Sequence, residues 1–271
     1  MVGVNFKGRL GNQLFQFYFF LYLKSRNRKL IYFFPNPHHA YIEKYFDLGW
    51  YNLILGSKVY SVITRVLARI WGFKEVCLQN LVAPKEIEVL DDAIYNGYFQ
   101  TDWYLKRLDK PYRISVKKKY RERFQKEFGS LFRENRTIAV HIRRTDYLTY
   151  GKRDISIPVS FFKRELSRID NIDQYKVIFV SDDIAYVKEQ FGTADNYLFS
   201  ENDEITDFQL IQHADIAIIS NSTFSWWAAY LSEKDNRVIA PANWLGFNVK
   251  REHPKGIMTD RFIWRDVFHE N

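Results

Sequence analysis

Two adjacent arginines and an acid follow directly after an apolar segment of the sequence. Residues 137–142 have the mostly apolar, β-branched composition of a buried strand, and Arg143, Arg144 and Asp146 come where that strand should end. In an open α/β sheet, ligands bind at the carboxyl ends of the strands. Guanidinium groups are permanently charged donor forks that match phosphate oxygens. The segment therefore predicts an anion site, with a surface Arg–Asp ion pair as the structural alternative.

Two further apolar segments also end in polar clusters. Residues 176–180 lead into Ser181-Asp182-Asp183, and residues 216–219 lead into Ser220-Asn221-Ser222-Thr223. In a parallel sheet these ends meet the arginines at one edge, where hydroxyls and free N–H groups at a helix start favour an anion. Each cluster alone is equally explained as a helix cap or a turn. Together they predict one site for a diphosphate.

Asp207 lies in a predicted helix over 203–214, for which Asp203 is the candidate cap. A carboxylate can accept hydrogen bonds from the N1–H and the exocyclic amine of a guanine. Asp207 is therefore a candidate base-reading residue. The alternative is that Asp207 is an exposed helix residue.

The elements that must position these residues alternate between strand and helix patterns. We predict strands over 2–6, 30–34, 137–142, 176–180, 216–219 and 237–240, and helices over 14–24, 116–134, 160–169, 184–191, 203–214 and 224–231. Residues 40–80 are mostly helical in pattern, residues 85–99 hold short strands, and Thr101 caps a helix over 101–108. This alternation predicts an α/β fold with two Rossmann-like halves and a cleft between them, divided into residues 1–134 and 135–271.

The first half has a glycine loop before its predicted helix, with Gly8, Gly11, Asn12 and Gln13. The loop lacks the third glycine of the dinucleotide-binding fingerprint, and no P-loop motif occurs in the chain. It is therefore a weak phosphate cradle. Asn12 and Gln13 are instead candidates to hydrogen-bond a sugar, or to cap the helix.

Composition narrows the class of partner. The 271 residues carry a net charge of +8, which favours an anionic partner such as a nucleotide, a nucleic acid or an acidic membrane surface. The aromatic content of 18% would suit the stacking of rings on sugars. The single cysteine, Cys77, excludes an intramolecular disulfide, and no Cys/His cluster has zinc spacing.

An apolar stretch near the N-terminus raises the question of targeting. Residues 14–23 are too short to span a bilayer, and no signal-peptidase-like site follows them. We therefore expect a buried helix in a soluble, cytoplasmic protein.

Four motifs, in order along the chain, resemble those of the α-1,2-fucosyltransferase family. They are Gly8-x-x-Gly11-Asn12-Gln13-x-Phe15-Gln16, His141-x-Arg143-Arg144-x-Asp146-Tyr147, Ser181-Asp182-Asp183 and Asn221-Ser222-Thr223-Phe224-Ser225-Trp226-Trp227-Ala228-Ala229. The His-x-Arg-Arg motif is shared with α-1,6- and protein O-fucosyltransferases, whereas the Ser-Thr-Phe-Ser-Trp-Trp segment is typical of the α-1,2 group. The first loop departs from the family's usual Gly-Gly-Leu-Gly-Asn-Gln, since Lys7 precedes Gly8 and Arg9 stands where the second glycine is expected.

The resemblance implies a GT-B-like fold, GDP-fucose as donor, inversion at the anomeric carbon and no metal or other cofactor. It implies a β-phosphate clamp by Arg143, support by Arg144, and diphosphate contacts from the Asn221 segment through Ser222, Thr223 and Ser225. It also implies that Asp207 reads guanine, that Asp183 lines the nucleoside pocket, and that the loop of Gly11, Asn12 and Gln13 faces the fucose and the acceptor.

Inversion calls for a base that takes the proton of the acceptor hydroxyl, and three residues are candidates. Asp146 is close to the arginines, but such pairing is expected to lower the pKa of a carboxyl and make it a poor base. Asp154 occupies a loop after the motif and is the alternative. His141 is the third candidate, unless it only braces the end of its strand.

These observations predict an enzyme that transfers L-fucose to the 2-hydroxyl of a terminal β-galactoside in the synthesis of O-antigen or another surface polysaccharide. A lipid-linked acceptor and peripheral contact of the basic 116–134 helix with the inner membrane face are compatible with it. A fucosyltransferase of other linkage is the alternative enzyme. A basic nucleic-acid-binding protein is the rival class, but it predicts aromatic and basic residues along exposed strands, whereas here the arginines converge at one strand end.

Overall fold

The computed structural model describes residues 1–78 and 80–268, which form two compact units. The first unit contains Met1–Lys117 and His253–Ile257, and the second contains Lys118–Glu252 and the residues from Met258 onward. The units therefore divide before the basic helix Lys118–Glu134, not after it as the sequence analysis expected. The helix belongs to the second unit because it packs against the helix Glu204–His213, where its Arg123 bonds Asp203 at 2.7 and 2.8 Å.

The first unit is built around a parallel sheet. Its described strands are β1 (Val2–Val4), β2 (Tyr32–Phe33), β3 (Phe46–Asp47), β4 (Lys74–Cys77), β5 (Ala93–Asn96) and β6 (Ser115–Val116). Its described helices are α1 (Leu10–Arg26), α2 (Ile42–Tyr45), α3 (Tyr51–Leu55), α4 (Lys58–Ile70) and α5 (Trp103–Lys106), with a 3₁₀ turn at Pro37–His39. The strands run in the order β2-β1-β5-β4, and β3 pairs with β6 antiparallel.

Helix α1 is the buried helix expected from residues 14–24, but it begins earlier, at Leu10. Gly11 and Gln13 therefore lie in its first turn and are buried there, not in a loop. The helix is buried on most sides because its aromatic side chains pack in the core, as for Phe19, whose ring lies 3.7 Å from that of Phe99. Of the helices in the described residues, none is long and apolar enough to cross a bilayer.

The second unit contains the other strands and helices that the sequence predicted. Its described strands are β7 (Arg136–Ile142), β8 (Tyr175–Ser181), β9 (Tyr197–Phe199), β10 (Ile216–Ile219), β11 (Arg237–Pro241) and β12 (Ile263–Arg265). Its described helices are α6 (Lys118–Glu134), α7 (Val159–Ser167), α8 (Ile184–Phe191), α9 (Glu204–His213) and α10 (Thr223–Tyr230), with 3₁₀ turns at Thr145–Tyr147, Ile172–Gln174 and Phe247–Val249. The short strands β9 and β12 were not predicted.

All pairings in this second sheet are parallel, in the order β12-β11-β10-β7-β8-β9. Strand β7 lies between β10 and β8 and is buried from Thr137 to Ile142, which explains its continuous apolar run. The register pairs His141 with Ile219 and Ile142 with Ser181. The chain therefore leaves β7, β8 and β10 at the same level of one sheet edge.

Two predicted helix caps can be compared with the structure. Asp203 caps α9 as expected, because its side chain accepts a hydrogen bond from the Thr206 amide at 3.0 Å. The predicted cap Thr101 lies one residue too early, since Asp102 is the residue before α5. The Thr101 hydroxyl still accepts a hydrogen bond from the Trp103 amide at 3.1 Å.

Candidate active site

The polar clusters that the sequence predicted to converge do so at the carboxyl edge of the second sheet. The arginines follow β7, the acids follow β8, and Ser220 begins the segment after β10. A fourth group joins them, because Ser200 follows β9 at the same edge. These groups lie together because their strands are parallel neighbours in the sheet. No single sequence motif contains that information.

Arg143 is held by two carboxylates and remains partly accessible. Its Nε donates to Asp146 Oδ1 at 2.8 Å and lies 3.3 Å from Asp182 Oδ2, and its side chain is 18% exposed. Burial alone would lower the pKa of Arg143, but the hydrogen bond to Asp146 and the charges of both acids raise it overall. The guanidinium is therefore a fixed, permanent cation at the sheet edge.

Arg144 is fixed by different contacts. Its backbone N–H donates to Asp182 Oδ1 at 2.9 Å, and its Nε donates to Asp183 Oδ2 at 3.2 Å. The guanidinium also lies 3.5 Å from the centre of the Tyr186 ring, at cation–π distance. The two guanidinium groups therefore have different side-chain partners, while Asp182 bonds the guanidinium of Arg143 and the backbone of Arg144.

Asp182 connects the two motifs and is the residue that sequence reasoning missed. It accepts hydrogen bonds from the Arg144 amide, the Thr145 amide and the Thr145 hydroxyl, in addition to its ion pair with Arg143. Its place in the Ser-Asp-Asp cluster was a signal, but only the β7–β8 pairing shows what it bonds. Asp183, expected to line the nucleoside pocket, caps α8 through the Tyr186 amide at 3.3 Å and pairs with Arg144.

His141 is buried and neutral, which argues against its use as the base. It is 5% exposed, and its Nδ1 shares a hydrogen bond of 2.9 Å with the hydroxyl of Ser220. Burial and the nearby charge of Arg143 lower its pKa to about 3. His141 therefore links the ends of β7 and β10, the bracing role that the sequence left open.

The segment after β10 contains one partly exposed candidate for anion binding, Thr223 in the first turn of α10. Ser222 is 5% exposed and Asn221 is 1% exposed. The Asn221 amide donates to the Ile155 carbonyl at 2.8 Å, while its buried Oδ1 has no partner among the described residues and is an acceptor that a ligand could satisfy. Ser225 is fully buried and its hydroxyl donates to the Ser222 carbonyl at 3.1 Å; its contact with the diphosphate stays a prediction.

Asp207 is brought to this edge by its contact with Ser200, whose hydroxyl donates to Asp207 Oδ1. Burial raises the pKa of Asp207 to about 6, with a further contribution from the charge of Asp203. A carboxyl in this setting lacks solvation when ionised. A ligand that supplies N–H donors would stabilise its charged form.

A pocket of about 280 Å³ lies beside the two arginines. It is lined by Ile142, Arg143, Arg144, Asp154, Ser156, Ile157, Pro158, Val159 and Tyr186. Asp154 is exposed, and its Oδ1 accepts hydrogen bonds from the amide of Ser156 at 2.8 Å and from its hydroxyl at 2.6 Å. Of the three candidate bases, Asp154 is thus the one that lines a pocket with the cations.

The glycine-loop residues of the first unit behave differently. Gln13 is 2% exposed, and its amide donates to the carbonyls of His39 and Gly8 and accepts from the amides of Tyr41 and Ile42. Gln13 and the buried Gly11 therefore have structural roles, and their contact with the substrate stays a prediction. Asn12 is half-buried and accepts a hydrogen bond from Gln100 at 2.7 Å.

No group of three or more His, Cys, Asp or Glu side chains that could hold a metal ion occurs among residues 1–78 and 80–268. Cys77 is exposed and unbonded to sulfur. The candidate site in the second unit contains cations, hydroxyls and carboxylates.

Two α/β units with parallel sheets, one of which presents arginines at its strand ends, have the architecture of a GT-B-like fold. Solved structures share this fold: NodZ from Bradyrhizobium, a fucosyltransferase, matches with a TM-score of 0.52 and 12% identity over 85% of this chain and 93% of its own. POFUT1 in complex with GDP matches with a TM-score of 0.50 and 13% identity over 88% and 97%. At such identities the likeness establishes the fold alone, and it confirms the predicted fold class.

The chain belongs to glycosyl transferase family 11, whose sequence profile matches residues 91–257. Two proteins of Escherichia coli are relatives. The O-antigen biosynthesis glycosyltransferase WbnK is 32% identical over 42% of this chain and 41% of its own length. An α-1,2-colitosyltransferase is 34% identical over 55% of this chain and 54% of its own. The matches thus span about half the length of these relatives.

Proposed function

We propose that this glycosyltransferase moves L-fucose from GDP-fucose to the 2-hydroxyl of a terminal β-galactoside, with inversion, in the synthesis of O-antigen or a related surface glycan. The observation that carries the proposal is the pair of separately anchored guanidiniums, Arg143 and Arg144, at the carboxyl edge of the sheet. Family 11 membership and the names of the two relatives support the glycan and the linkage. Solved structures of the same fold include NodZ soaked with GDP-fucose, which supports the donor.

The arginines would act on the leaving group. As the bond between the anomeric carbon and the β-phosphate oxygen breaks, its electron pair stays on the phosphate, and negative charge develops there. Cationic donors fixed before the reaction stabilise that charge without reorganisation. Arg143 binds Asp146 and Asp182 through one side of its guanidinium, so the remaining N–H donors are available to the diphosphate. We propose that this arrangement does the work of a metal ion.

The acceptor hydroxyl would attack the opposite face of the sugar and lose its proton to a base. We assign this role to Asp154, because it lines the pocket with both arginines and no described residue donates to its Oδ2. Asp146 instead orients Arg143, to which it is bonded at 2.8 Å. The lowered pKa and the burial of His141 argue against it as the base. In the first unit, Asn12 is the residue of the predicted trio that is still partly exposed to meet the sugar.

Asp207 would read the base of the nucleotide. When its carboxyl is ionised, two oxygens can accept the N1–H and the exocyclic amine of guanine. Those donors would replace the solvation that burial removes, and burial is the main cause of its raised pKa. Binding of guanine would therefore lower the pKa of Asp207.

A second candidate activity is α-1,2-colitosyl transfer. The observation that favours it is the 34% identity to an α-1,2-colitosyltransferase, which covers more of the chain than the match to WbnK does. The two candidates share the nucleotide site and differ in the sugar. They are separated by offering the purified protein the fucose donor and the colitose donor side by side.

The nucleotide part of the proposal is tested by thermal unfolding. GDP should raise the melting temperature, EDTA should leave that increase unchanged, and single-stranded RNA should not produce it. A response to RNA and none to GDP would support the nucleic-acid-binding alternative and overturn the proposal. The transfer itself is tested by incubating GDP-fucose with a panel of galactosides and determining the linkage of the product by NMR. Product linked at a hydroxyl other than the 2-position would reassign the enzyme.

We also place the reaction at the cytoplasmic face of the inner membrane, with an acceptor carried on a lipid. Incubation with both a soluble galactoside and a lipid-linked one tests this placement. Faster transfer to the lipid-linked acceptor is expected. Equal rates would argue for a freely diffusing acceptor.

A further inference from the structure

Helix α4 (Lys58–Ile70) has its amphipathic pattern turned outward. The side chains that it buries are Ser61 and Thr64, at 8% and 3% exposure. Its large aliphatic residues lie on the surface: Val59 is 69% exposed, Val62 52%, Ile63 59%, Val66 49% and Ile70 74%. A helix of a globular protein normally turns its apolar stripe toward the core.

The five aliphatic side chains form one continuous stripe, which we call the α4 stripe. At 3.6 residues per turn, positions 59, 62, 63, 66 and 70 fall within an arc of about 100°. The inner face is tied to the rest of the first unit by a hydrogen bond, in which the Tyr60 hydroxyl accepts from the Phe34 amide at 3.0 Å. The Thr64 hydroxyl, also on this face, donates within the helix to the Tyr60 carbonyl at 2.9 Å. Turning the stripe inward would therefore break the bond to Phe34 and expose the buried Thr64.

The charges of α4 indicate what covers the stripe. Lys58, Arg65 and Arg69 all fall on one flank of the stripe, and the sequence of the helix contains no Asp or Glu. An apolar stripe with basic residues beside it is the pattern of a helix that lies in the interface of an acidic bilayer. The aliphatic side chains enter the region between headgroups and acyl chains, while the cations meet the lipid phosphates.

A second copy of the chain fits the stripe less well. A stable dimer buries roughly 20 residues on each side, whereas the α4 stripe offers five side chains on one short helix. The basic helix α6, on which the sequence placed the membrane contact, also fits less well. It carries Glu122 and Glu127 among its lysines and arginines, and its residues Phe124 and Gly129 are buried. Exposed large aliphatic residues are found on α4 and not on the described surface of α6.

From this geometry we infer that α4 is a docking surface for acidic lipid bilayers, with the α4 stripe inserted and Arg65 and Arg69 on the headgroups. The surface lies in the first unit and shares no residue with the proposed site for the donor. The inference therefore stands whether or not the chain uses GDP-fucose. It would hold the enzyme at the surface where amphiphilic acceptors collect.

The test measures sedimentation of the full chain with vesicles. The wild type should bind vesicles of equal parts phosphatidylglycerol and phosphatidylcholine, and bind phosphatidylcholine vesicles at least tenfold more weakly. The double variant Ile63→Gln/Val66→Gln should lower binding to the acidic vesicles at least tenfold, because it removes apolar surface without weakening the helix. The double variant Arg65→Gln/Arg69→Gln should lower it about fivefold per arginine, and only on acidic vesicles.

Matched controls separate this surface from general effects. Val249→Gln changes an aliphatic residue that is 74% exposed in the second unit, and Lys119→Gln/Arg121→Gln removes two exposed cations from α6; both should bind like the wild type. All variants should keep the melting temperature and the response to GDP of the wild type. Unchanged binding of Ile63→Gln/Val66→Gln would overturn the inference, as would a loss of binding in the α6 variant. A concentration-dependent dimer that Ile63→Gln/Val66→Gln abolishes, without vesicle binding by the wild type, would assign the stripe to a second copy instead.

Discussion

The carboxyl edges of the two parallel sheets both carry motifs that are conspicuous in the sequence, but the side chains of these motifs have different roles. At the edge of the first sheet, the amides of Gln13 and Gln16 are buried, and each bonds backbone groups on both its oxygen and its nitrogen. At the edge of the second sheet, Arg143 and Arg144 are bonded on one side by acids and remain 18% and 26% exposed. The two amides therefore bond backbone groups of the folded chain, whereas the two guanidinium groups retain N–H donors for a ligand.

The difference follows from the chemistry of the side chains. An amide has two donors and two acceptor positions, so the four backbone contacts of Gln13 occupy it completely, and Gln16 uses one donor and one acceptor position. A guanidinium has five donors in a rigid plane, and carboxylates on one side leave the other side directed outward. A motif therefore predicts a ligand site only when its side chains have donors or acceptors left over after folding.

The largest effect is expected from Arg143→Lys. Lysine keeps the charge but has no planar fork, so it cannot bond Asp146 and Asp182 while also presenting donors to a diphosphate. We expect kcat to fall by about a thousandfold, in line with the loss of a preorganised charge-stabilising donor, with little change in melting temperature. Steady-state kinetics with GDP-fucose measures it. Turnover within tenfold of the wild type would remove Arg143 from the proposed chemistry.

Gln13→Ala should have the reverse profile. The change removes the side-chain partner of the Ile42 amide, at a buried hydrogen bond, and that of the Tyr41 amide and the His39 carbonyl, at partly buried ones. We expect the free energy of unfolding to fall by about 3 kcal/mol, since each unsatisfied buried group costs about 1–3 kcal/mol. Chemical denaturation measures the loss, with Gln125→Ala on the exposed side of α6 as the matched control. A stable Gln13→Ala protein that fails in transfer would return Gln13 to the substrate site.

Asp182→Asn tests whether the arginines at the edge of the second sheet must be held in position. Asparagine has one acceptor oxygen, so it cannot bond the amides of both Arg144 and Thr145 in the observed manner and pair with Arg143. We expect the affinity for GDP to fall about tenfold, with kcat less affected. The reason is that Asp182 positions the arginines and acts on the reacting atoms only through them. Isothermal titration gives the affinity, and Asp173→Asn serves as a surface control. An equal fall in kcat and unchanged affinity would contradict a positioning role.

The smallest effect concerns Asp207 and depends on pH. Burial raises its pKa from 3.8 to about 6, so below about pH 6 the carboxyl is protonated and presents one acceptor fewer to guanine. GDP affinity should therefore fall severalfold as the pH drops from about 8 to about 5, and Asp207→Asn should flatten that dependence.

Stability provides a separate readout for Asp207. Because its pKa is raised in the folded state, the carboxyl stabilises the fold below its ordinary 3.8 and loses that contribution as the pH rises through about 6. Asp207→Asn should therefore melt higher than the wild type at about pH 8, where the wild type holds a buried charge. A variant that binds GDP with the pH dependence of the wild type would separate Asp207 from the nucleotide.

Local patterns predicted much of the fold. The helix over 184–191 and the strand over 216–219 were predicted with the bounds of α8 and β10. Both segments have a clear apolar pattern and are bordered by turn residues. Strands β9 and β12, with three residues each, were missed because so short a segment has no period to detect. The start of α1 was also missed, because Gly11 is a poor helix former that burial against the core holds in place.

For the candidate site, the sequence by itself determined which side chains lie at the ends of β7, β8 and β10, because these side chains directly follow apolar segments. Only the tertiary structure decided which of them remain available. Pairing of β7 with β8 places Asp182 beside its three partner residues. Burial keeps His141 neutral, and the hydroxyl of Ser225 donates to a backbone carbonyl. The physical reason is that hydrogen-bonding capacity and solvation depend on neighbours that are distant in sequence. The same reason explains α4, whose pattern is clear in sequence while its outward direction is fixed by the fold.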